Sequence, residues 1–334
     1  MQKRLMIILN IIILLIFFYN TLYSAEHKGG YLWMLLPVSA RGAGIGQGVA
    51  AIIDNANTVF WNPGGVGFLD DSLCINYSYN PLAGNWIWND EFHNFAVNAK
   101  IAKNIVSGLN YKYFNSGYSI AKYYSIGILF NYKKGNIGFG INTNLHSIYN
   151  AQNNPVLSYD FGILYSKDLN NKLSSILKNI SFGTSILNIS SGAEYSDHIK
   201  RGLPCNVRIG YSITLIYPRG KNDKHPLIIT HNLEYSDVLN SNNAFYRRDI
   251  GGGMECLFSG LLYFRLGYHS RGCSYSPIKG ITYGTGLIFP LQYIFHNFNS
   301  SITYDFSMYR WMPDSSWKKD EYYQIHSFGF KYNY

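Results

Sequence analysis

The sequence PVSARGAGIGQGVAAIIDNANTVFWNPGGVG occupies positions 37 to 67 and precedes a long series of alternating, Tyr-rich segments. It has neither helical nor strand periodicity, and glycine stands at positions 42, 44, 46, 48, 64, 65 and 67. Glycine and small side chains let a chain pass close to other backbone in a confined space. We therefore predict a plug inside a closed structure, with these plug or gating residues: Arg41, Gly42, Gly44, Gly46, Asp54, Trp61, Asn62 and Pro63.

The N-terminal residues have the pattern of a secretory signal peptide. Lys3 and Arg4 precede an uncharged apolar run, residues 5–18, and the exit Tyr23-Ser24-Ala25 follows. This run is shorter than the ~20 residues that a spanning helix needs. We expect the mature chain to start at Ala25 or Glu26, and an uncleaved anchor is the alternative. The predicted domains are a signal peptide 1–25, a plug segment 26–70 and a barrel 71–334.

The composition is unusual for a water-soluble domain. Charged residues make up 14% of the chain, against a usual ~25%, while aromatic residues make up 17% and tyrosines number 30. Amphipathic rings with few charges suit a surface that meets lipid at two interfaces. The basic residues form no run with interleaved aromatics, so nucleic acid is not an expected partner. The four cysteines lack metal-ligand spacing, and we predict neither a metal nor a cofactor.

Alternating apolar and polar residues recur from Ser72 to the C-terminus. Ile137 to His146 shows the pattern clearly, with apolar Ile137, Phe139 and Ile141 opposite glycine and polar positions. Alternation with period two is typical of a strand with two different faces. About fourteen such segments lie near 72–79, 91–101, 105–113, 122–132, 136–146, 156–166, 180–188, 204–217, 226–236, 247–257, 260–268, 280–289, 300–308 and 323–333.

The connections between these segments indicate a transmembrane barrel. Long connections follow the odd-numbered segments and several tight turns follow the even-numbered ones, as in outer-membrane barrels. A short amphipathic helix is expected over Lys167–Asn179. The last segment carries alternating aromatic residues to Tyr334, and it must pair with the first strand to remove exposed edges. We predict an all-β fold, a transmembrane antiparallel β-barrel of about 14 strands with an N-terminal plug inside the lumen, located in the outer membrane.

Charged residues on predicted inward faces have two interpretations. They could line a polar pathway, or they could pair with one another and with Arg41 of the plug and hold it in place. Tryptophans in predicted long outer loops, Trp86, Trp88, Trp311 and Trp317, belong to an interfacial belt or form an apolar contact surface for a ligand or protein. The predicted lumen-wall residues are Arg208, Glu234, Arg247, Asp249, Glu255, Arg265 and Asp305.

No enzymatic activity is expected. Nucleophilic catalysis needs a nucleophile, a base within reach and an orienting group. The sequence contains neither a G-x-S-x-G nor an H-x-x-E-H pattern, and its histidines are scattered. The glycines at 251, 252 and 253 are followed by strand-like residues and not by the helix that a phosphate loop requires.

Two blocks of sequence resemble a known family. Residues 36–46, LPVSARGAGIG, followed by WNPGG at 61–65, resemble the opening of the PorV/PorQ family of outer-membrane proteins. That family is related to the FadL type of long-chain fatty acid transporters. The later runs GLP at 202–204, VRIGY at 207–211 and FRLGY at 264–268 look similar to its middle and late segments. One departure is Gly64, where the family usually has alanine after Asn-Pro.

The resemblance implies a fourteen-stranded barrel with an N-terminal plug and one of two functions. The first, which we expect, is a part in type IX protein secretion, in which outer loops bind exported proteins and secretion-system components. The second is a FadL-like channel for long-chain fatty acids or other hydrophobic compounds. The channel would have an apolar pocket that reaches the plug, and a kinked or bulged strand beside it.

Overall fold

The computed structural model describes residues 32–53, 55–81, 91–115, 122–148, 151, 155–169, 176–190, 192–194, 200–217, 226–239, 248–272, 278–295, 299–309 and 322–333. Fourteen long strands in this part of the chain form one closed barrel in which every neighbouring pair is antiparallel. The strands follow each other around the barrel in chain order, and the last pairs with the first from Leu73↔Tyr332 to Tyr79↔His326. The predicted fourteen-stranded antiparallel barrel is confirmed.

The strand bounds lie within a few residues of the predicted segments. They are β1 Leu73–Pro81, β2 Glu91–Ala102, β3 Ile105–Asn115, β4 Lys122–Lys134, β5 Ile137–Ile148, β6 Val156–Asp168, β7 Leu177–Ser190, β8 Asn206–Tyr217, β9 Leu227–Val238, β10 Arg248–Phe258, β11 Leu262–Arg271, β12 Ile278–Pro290, β13 Ser300–Tyr309 and β14 Tyr323–Tyr332.

The outer face of the barrel wall is exposed and apolar, whereas the exposed face of a sheet in a water-soluble protein is polar. Along β4 every second side chain is buried, while Ile126, Ile128 and Phe130 between them are exposed. Large exposed apolar side chains continue around the outer face of the other strands. A closed sheet leaves no unpaired edge, and an outward apolar band is what hydrocarbon requires. The barrel is therefore built to be surrounded by lipid. No helix in the described residues is long and apolar enough to cross a membrane.

Three of the connections at one end of the barrel are tight turns, although those at 218–226 and 291–299 at the same end are longer than predicted. Tight turns at 103–104, 135–136 and 259–261 share one end with the start of β1 and the end of β14. We call it the turn end, and the opposite end, with the connections at 82–90 and 310–322, the loop end. The helix expected over Lys167–Asn179 is wrong in the described residues. Lys167 and Asp168 belong to β6, and the N–H of Leu169 donates to Lys178 O at 2.7 Å, which closes a hairpin there.

Residues Leu32 to Leu69, which we call the inner segment, contact the buried, inward-facing residues of the strands. The inner segment contains one α-helical turn, α1 (Ala40–Gly44), and 3₁₀ turns at Leu32–Leu35, Ala56–Phe60 and Pro63–Phe68. Three of these turns begin with a side-chain cap that accepts a backbone N–H, at Ser39, Asn55 and Asn62. Such caps satisfy the first N–H groups where no strand is available to do so.

The outward-facing side chain of Ile128 on β4 allows a direct test of whether this surface faces lipid. Replacing Ile128 by arginine is expected to lower the free energy of unfolding by about 2–4 kcal/mol, because a guanidinium would enter hydrocarbon. The measurement is reversible denaturant unfolding in lipid vesicles. Lys134→Arg, at the exposed end of β4 beside the turn to β5, is the matched control and should leave stability unchanged. Equal stability of Ile128→Arg and the wild type would contradict a lipid-facing Ile128.

Candidate functional site

The candidate site is the lumen of the barrel, where the inner segment meets the wall. On one side of the lumen, glycines of β5, β6 and β7 face inward, and we call this surface and a second one described below the glycine walls. A Cβ at Gly138, Gly140 or Gly162 would fall onto backbone atoms of Pro63 and Gly64, and one at Gly183 onto Ala50 O. No space remains for a Cβ at these four positions, so they cannot carry a side chain while the inner segment is docked.

A second glycine surface lies on β10, β11 and β12. A Cβ at Gly251 would meet Gly46 O, one at Gly253 would meet Ile45 O, and one at Gly267 would meet Gly46 N. Gly46 itself has φ +70, in the left-handed region that favours glycine. The inner segment is therefore in backbone contact with two separate parts of the wall.

Amide side chains lock the turn around Pro63 in place. Asn62 donates from Nδ2 to Ala50 O at 2.6 Å and to Ile163 O at 3.1 Å, so one side chain ties two parts of the inner segment to β6. Asn131 of β4 donates to Pro63 O at 2.7 Å. The Ser185 hydroxyl of β7 donates to Trp61 O at 2.6 Å. Three of the predicted plug residues, Trp61, Asn62 and Pro63, thus hold the segment through backbone and amide groups.

A buried ion-pair chain links α1 to β10, β11 and β13. Arg41 donates from Nε to Glu255 Oε2 at 2.9 Å and from Nη2 to Glu255 Oε1 at 2.7 Å, a bidentate pair. Arg265 donates to the same carboxylate at 2.6 Å and to Asp305 Oδ1 at 2.6 Å. Buried charges are costly unless they are paired, and in this cluster each carboxylate bonds a guanidinium. The cluster supports the interpretation that these charges position the inner segment.

Two further ion pairs flank the turn Gly46–Val49. Arg208 donates to Glu234 Oε1 at 2.6 Å, and Glu234 Oε2 accepts the backbone N–H groups of Val49 and Ala50 at 2.8 and 2.6 Å. Arg271 donates from Nη2 to Asp249 Oδ2 at 2.7 Å and to the Gln47 side chain at 3.5 Å. Glu234 therefore serves as an acceptor for orphan backbone donors of the inner segment.

On β2 to β5 the inward side chains nearest the loop end are apolar. Phe92, Phe114, Tyr123 and Ile148 stand on β2 to β5, each in register with the next, and all are buried. With Tyr309 of β13 they form what we call the outer compartment. Its apolar cluster also contains the following residues of the inner segment and of the connection between β7 and β8: Met34, Leu36, Val38, Ala193 and Leu203.

A small cavity lies beside the inner segment. It has a volume of about 60 Å³ and lies between Leu36 and Val38 on one side and Lys112, Asp160 and Arg208 on the other. By the space that one water occupies, this volume accommodates about four waters. A compound larger than this cavity could bind there only if part of the inner segment moved.

A bulged strand and an outer groove lie beside the inner segment. The register of β6 and β7 shifts between Tyr159 and Phe161, and Asn188 opposite has φ 59. Asp160 Oδ1 accepts the Asn188 N–H at 2.7 Å, which fixes the bulge.

On the outer face, a groove of about 480 Å³ is bordered by apolar side chains of β9 to β12 and has Gly253 and Gly267 in its floor. A single layer of backbone separates it there from the turn at Ile45 and Gly46.

The structure brings most of the predicted residues together. Arg41 meets Glu255. Gly44 lies against Arg265 and Gly284 of the wall, whereas Gly42 lies against Val49 of the inner segment itself. The other described plug and wall residues form the contacts given above. The predictions for Asp54, Arg247, Trp86, Trp88, Trp311 and Trp317 fall outside the described residues. Sequence reasoning missed Lys112 and Asp160, which line the cavity, although alternation along β3 and β6 places both on the inward face. No group of three or more His, Cys, Asp or Glu in the described residues could hold a metal ion.

Comparison with known proteins gives only distant likenesses. No protein-family model matches the chain, and no curated protein matches it in sequence. A TodX deltaS2S3 mutant monoaromatic hydrocarbon channel is similar in structure, with TM-score 0.49, 10% identity, and coverage of 89% of this chain and 99% of that chain. The P. putida toluene transporter TodX has TM-score 0.48 at 10% identity, covering 90% and 98%. A Pseudomonas aeruginosa FadL homologue has TM-score 0.46 at 10% identity, covering 89% and 99%.

These likenesses concern the fold alone, and at TM-scores below 0.5 no functional conclusion rests on them. None of these comparisons supports the PorV/PorQ resemblance seen in residues 36–46 and 61–65. The site is therefore characterised by its own geometry, which is a closed barrel with an apolar outer compartment and a docked inner segment.

Because the inner segment contacts the wall glycines so closely, adding one methyl group to such a glycine should weaken its docking. Gly140→Ala should displace the inner segment from β5, at a cost of about 1–3 kcal/mol for overpacking, because its Cβ would meet the Pro63 backbone. The measurement is the protease sensitivity of the inner segment in the detergent-solubilised protein, together with the unfolding midpoint. Gly272→Ala is the control, since the nearest atom to its Cβ is 3.4 Å away. Unchanged protection in Gly140→Ala would contradict the backbone contact.

Removing the Arg41 guanidinium should leave the buried Glu255 carboxylate with Arg265 as its remaining charged partner. Arg41→Ala is expected to destabilise the docked inner segment by about 1.5–3 kcal/mol, because Glu255 loses two charge-assisted hydrogen bonds. A double-mutant cycle with Glu255→Gln, read from denaturant unfolding in lipid, separates the pair from the two single truncations. A coupling energy near zero would show that Arg41 and Glu255 do not interact.

Proposed function

We propose that the protein is an outer-membrane channel for hydrophobic compounds, in which the inner segment acts as a gate. The observation that carries this proposal is the outer compartment, an apolar lining on the inner face of a membrane barrel. Barrels that conduct hydrophilic solutes have a polar interior. Phe92, Phe114, Tyr123 and Ile148 instead offer an apolar site at the loop end, where a compound arrives from outside.

The gate follows from how the inner segment is held. Its backbone touches both glycine walls, so a compound cannot pass between the segment and the wall at those places. The apolar residues Met34, Leu36 and Val38 belong to the same apolar cluster as the outer compartment and present a surface like that of a hydrophobic compound. A compound that competes for these contacts would favour an undocked segment, because ligands shift a conformational equilibrium by their differential affinity.

The groove on the outer face supports an exit toward the bilayer. It is bordered by Leu233, Ile250, Met254 and Leu266, and its glycine floor faces the turn at Gly46. A hydrophobic compound gains by entering hydrocarbon and loses by entering water. Movement of that turn would bring the lumen close to the lipid at the thinnest part of the wall.

The proposed mechanism is recognition and passage with no bond made or broken. The part in type IX secretion expected from the resemblance remains a prediction, and no contact in the described residues favours it. Its proposed contact residues, Trp86, Trp88, Trp311 and Trp317, lie outside the described part of the chain. Recovery of exported proteins on the purified barrel from its native membrane would favour the secretion role.

Uptake into vesicles tests the proposed function. Liposomes with the purified protein should accumulate a labelled long-chain fatty acid or a labelled monoaromatic hydrocarbon faster than empty liposomes. Uptake of both probes at the rate of empty liposomes would overturn the proposal.

A reversible disulfide bond tests whether the inner segment must move during uptake. In a background with the four cysteines replaced by alanine, Ala40→Cys and Ser327→Cys place two thiols where the Ala40 N–H now donates to the Ser327 hydroxyl at 2.9 Å. The oxidised protein should lose uptake and the reduced protein should regain it, so that each sample is its own control. Equal uptake in both states would show that the segment does not move at Ala40.

A further inference from the structure

The groove on the outer face of β9 to β12 forms around a position that carries no side chain. Gly252 is an outward position of β10, in register with Leu233 of β9 and Tyr268 of β11. These two neighbours are large and exposed, and so are Ile250 and Met254, which stand two residues away from Gly252 on either side. The groove of about 480 Å³ therefore lies between side chains of neighbouring strands and opens toward the surrounding hydrocarbon.

The shape of the groove suits a linear hydrocarbon chain. Along β10 it extends from Ile250 to Met254, which is roughly 14 Å of strand. Leu266 of β11 and Ile281 of β12 border it on the other side. Because these four side chains are apolar, the groove favours hydrocarbon over water.

Three hydrogen-bond donors stand on the loop-end side of the groove. Arg248 is one outward position beyond Ile250 on β10, and its side chain is 72% exposed. Ser270 of β11 lies in register with Ile250 on one side and with Lys279 of β12 on the other. Lys279 is exposed. Within the part of the chain that the structure describes, neither its ammonium nor the Ser270 hydroxyl forms a hydrogen bond or an ion pair.

One carboxylate lies beside these donors. Asp237 Oδ2 is 3.8 Å from Arg248 Nε and accepts the Tyr235 hydroxyl at 3.2 Å. An exposed ion pair of this kind contributes little, so it leaves the Arg248 guanidinium available to a stronger acceptor. Two cations against one carboxylate also leave a net positive charge. A guanidinium, an ammonium and a hydroxyl together suit an anion that has several acceptor oxygens, such as a phosphate.

The donors lie at the level where lipid headgroups are found. Arg248 and Lys279 stand at the loop-end starts of β10 and β12, whereas the groove reaches toward the middle of these strands. The long loops of outer-membrane barrels face the outside of the cell, so the donors lie in the outer leaflet. Tyr235 and Tyr268, just below them, are exposed and belong to the residue type that marks the boundary between hydrocarbon and headgroups.

We propose that the outer face of β9 to β12 is a binding site for one phosphorylated lipid of the outer leaflet. The phosphate accepts hydrogen bonds from Arg248, Ser270 and Lys279, and one acyl chain lies in the groove beside Gly252. A chain bound there covers the wall where a single layer of backbone separates the lipid from the turn at Gly46. The site does not depend on the passage of hydrophobic compounds, although a compound that left through this wall would displace the chain.

Native mass spectrometry of the delipidated protein in detergent tests the proposal. The two probes are a phosphatidylglycerol and a diacylglycerol with the same acyl chains, and the wild type should retain one phosphatidylglycerol in preference. Arg248→Gln and Lys279→Gln should each lower the affinity for phosphatidylglycerol about fivefold, because each removes one cation near the headgroup. Lys122→Gln removes an exposed lysine at the loop end of β4, outside the groove, and should leave this affinity unchanged.

A second pair of variants tests the groove separately from the charges. Ile281→Trp places a larger ring at the border of the groove and should lower the affinity for phosphatidylglycerol by about threefold or more, because an indole would occupy the space of the acyl chain. Ile126→Trp is the matched control, since Ile126 is similarly exposed on the outer face of β4. Added inorganic phosphate should not displace the lipid, because it cannot occupy the groove.

Four results would overturn the proposal. The first is equal retention of phosphatidylglycerol and diacylglycerol by the wild type. The second is wild-type affinity in the double variant Arg248→Gln/Lys279→Gln. The third is displacement by inorganic phosphate together with an unchanged Ile281→Trp, which would indicate an ion site without a chain. The fourth is a lipid-free dimer, which would assign the groove to a second copy of this chain. Fatty acid uptake is not used in this test, so the two proposals can fail separately.

Discussion

Backbone-to-backbone contact between the inner segment and the glycine walls is the constraint on which the rest of the structure depends. Gly140, Gly162 and Gly183 meet the chain around Asn62–Gly64 and Ala50, and Gly251 and Gly267 meet the turn at Gly46. A wall with side chains at these places would hold the segment several ångströms away. The hydrogen bonds of Asn62 and Asn131 and the ion pair of Arg41 with Glu255 could not then form with the same geometry.

Different parts of the lumen wall have different chemistry, and this division links the fold to the proposed function. Apolar side chains lie at the loop end of β2 to β5. On β8 to β13 charges pair with one another and with the inner segment, and buried asparagines line β1 to β4. A buried ion pair contributes little net stability but is costly to break by removing one partner, so it favours one docked arrangement over many loose ones. Such an arrangement suits a gate that opens only when a ligand offers competing contacts.

The fold was largely predictable from the sequence, because alternation with period two specifies both faces of each strand. The strand Ile137–Ile148 and the closing pair of β1 with β14 follow from patterns that a reader can count. The inner segment was only partly predictable. Its glycines indicated close contact, and the pairing of Arg41 with Glu255 was among the pairings expected. Its partners on β5 and β6 depend on register and three-dimensional closure, which single-sequence periodicity does not contain. At the described residues 167–169 and 176–179 the expected helix is wrong, because strand pairing between β6 and β7 overrode a short apolar periodicity.

The central claim is that the glycine-rich inner segment is docked inside a barrel that lipid surrounds. Hydrogen exchange followed by mass spectrometry on the protein in lipid nanodiscs measures this most directly. The account predicts that backbone amides of residues 42–50 and 56–66 exchange as slowly as those of the central barrel strands, because they are bonded and sealed by the wall. Exchange of these amides at the rate of exposed turns, with the strands still protected, would contradict a docked inner segment.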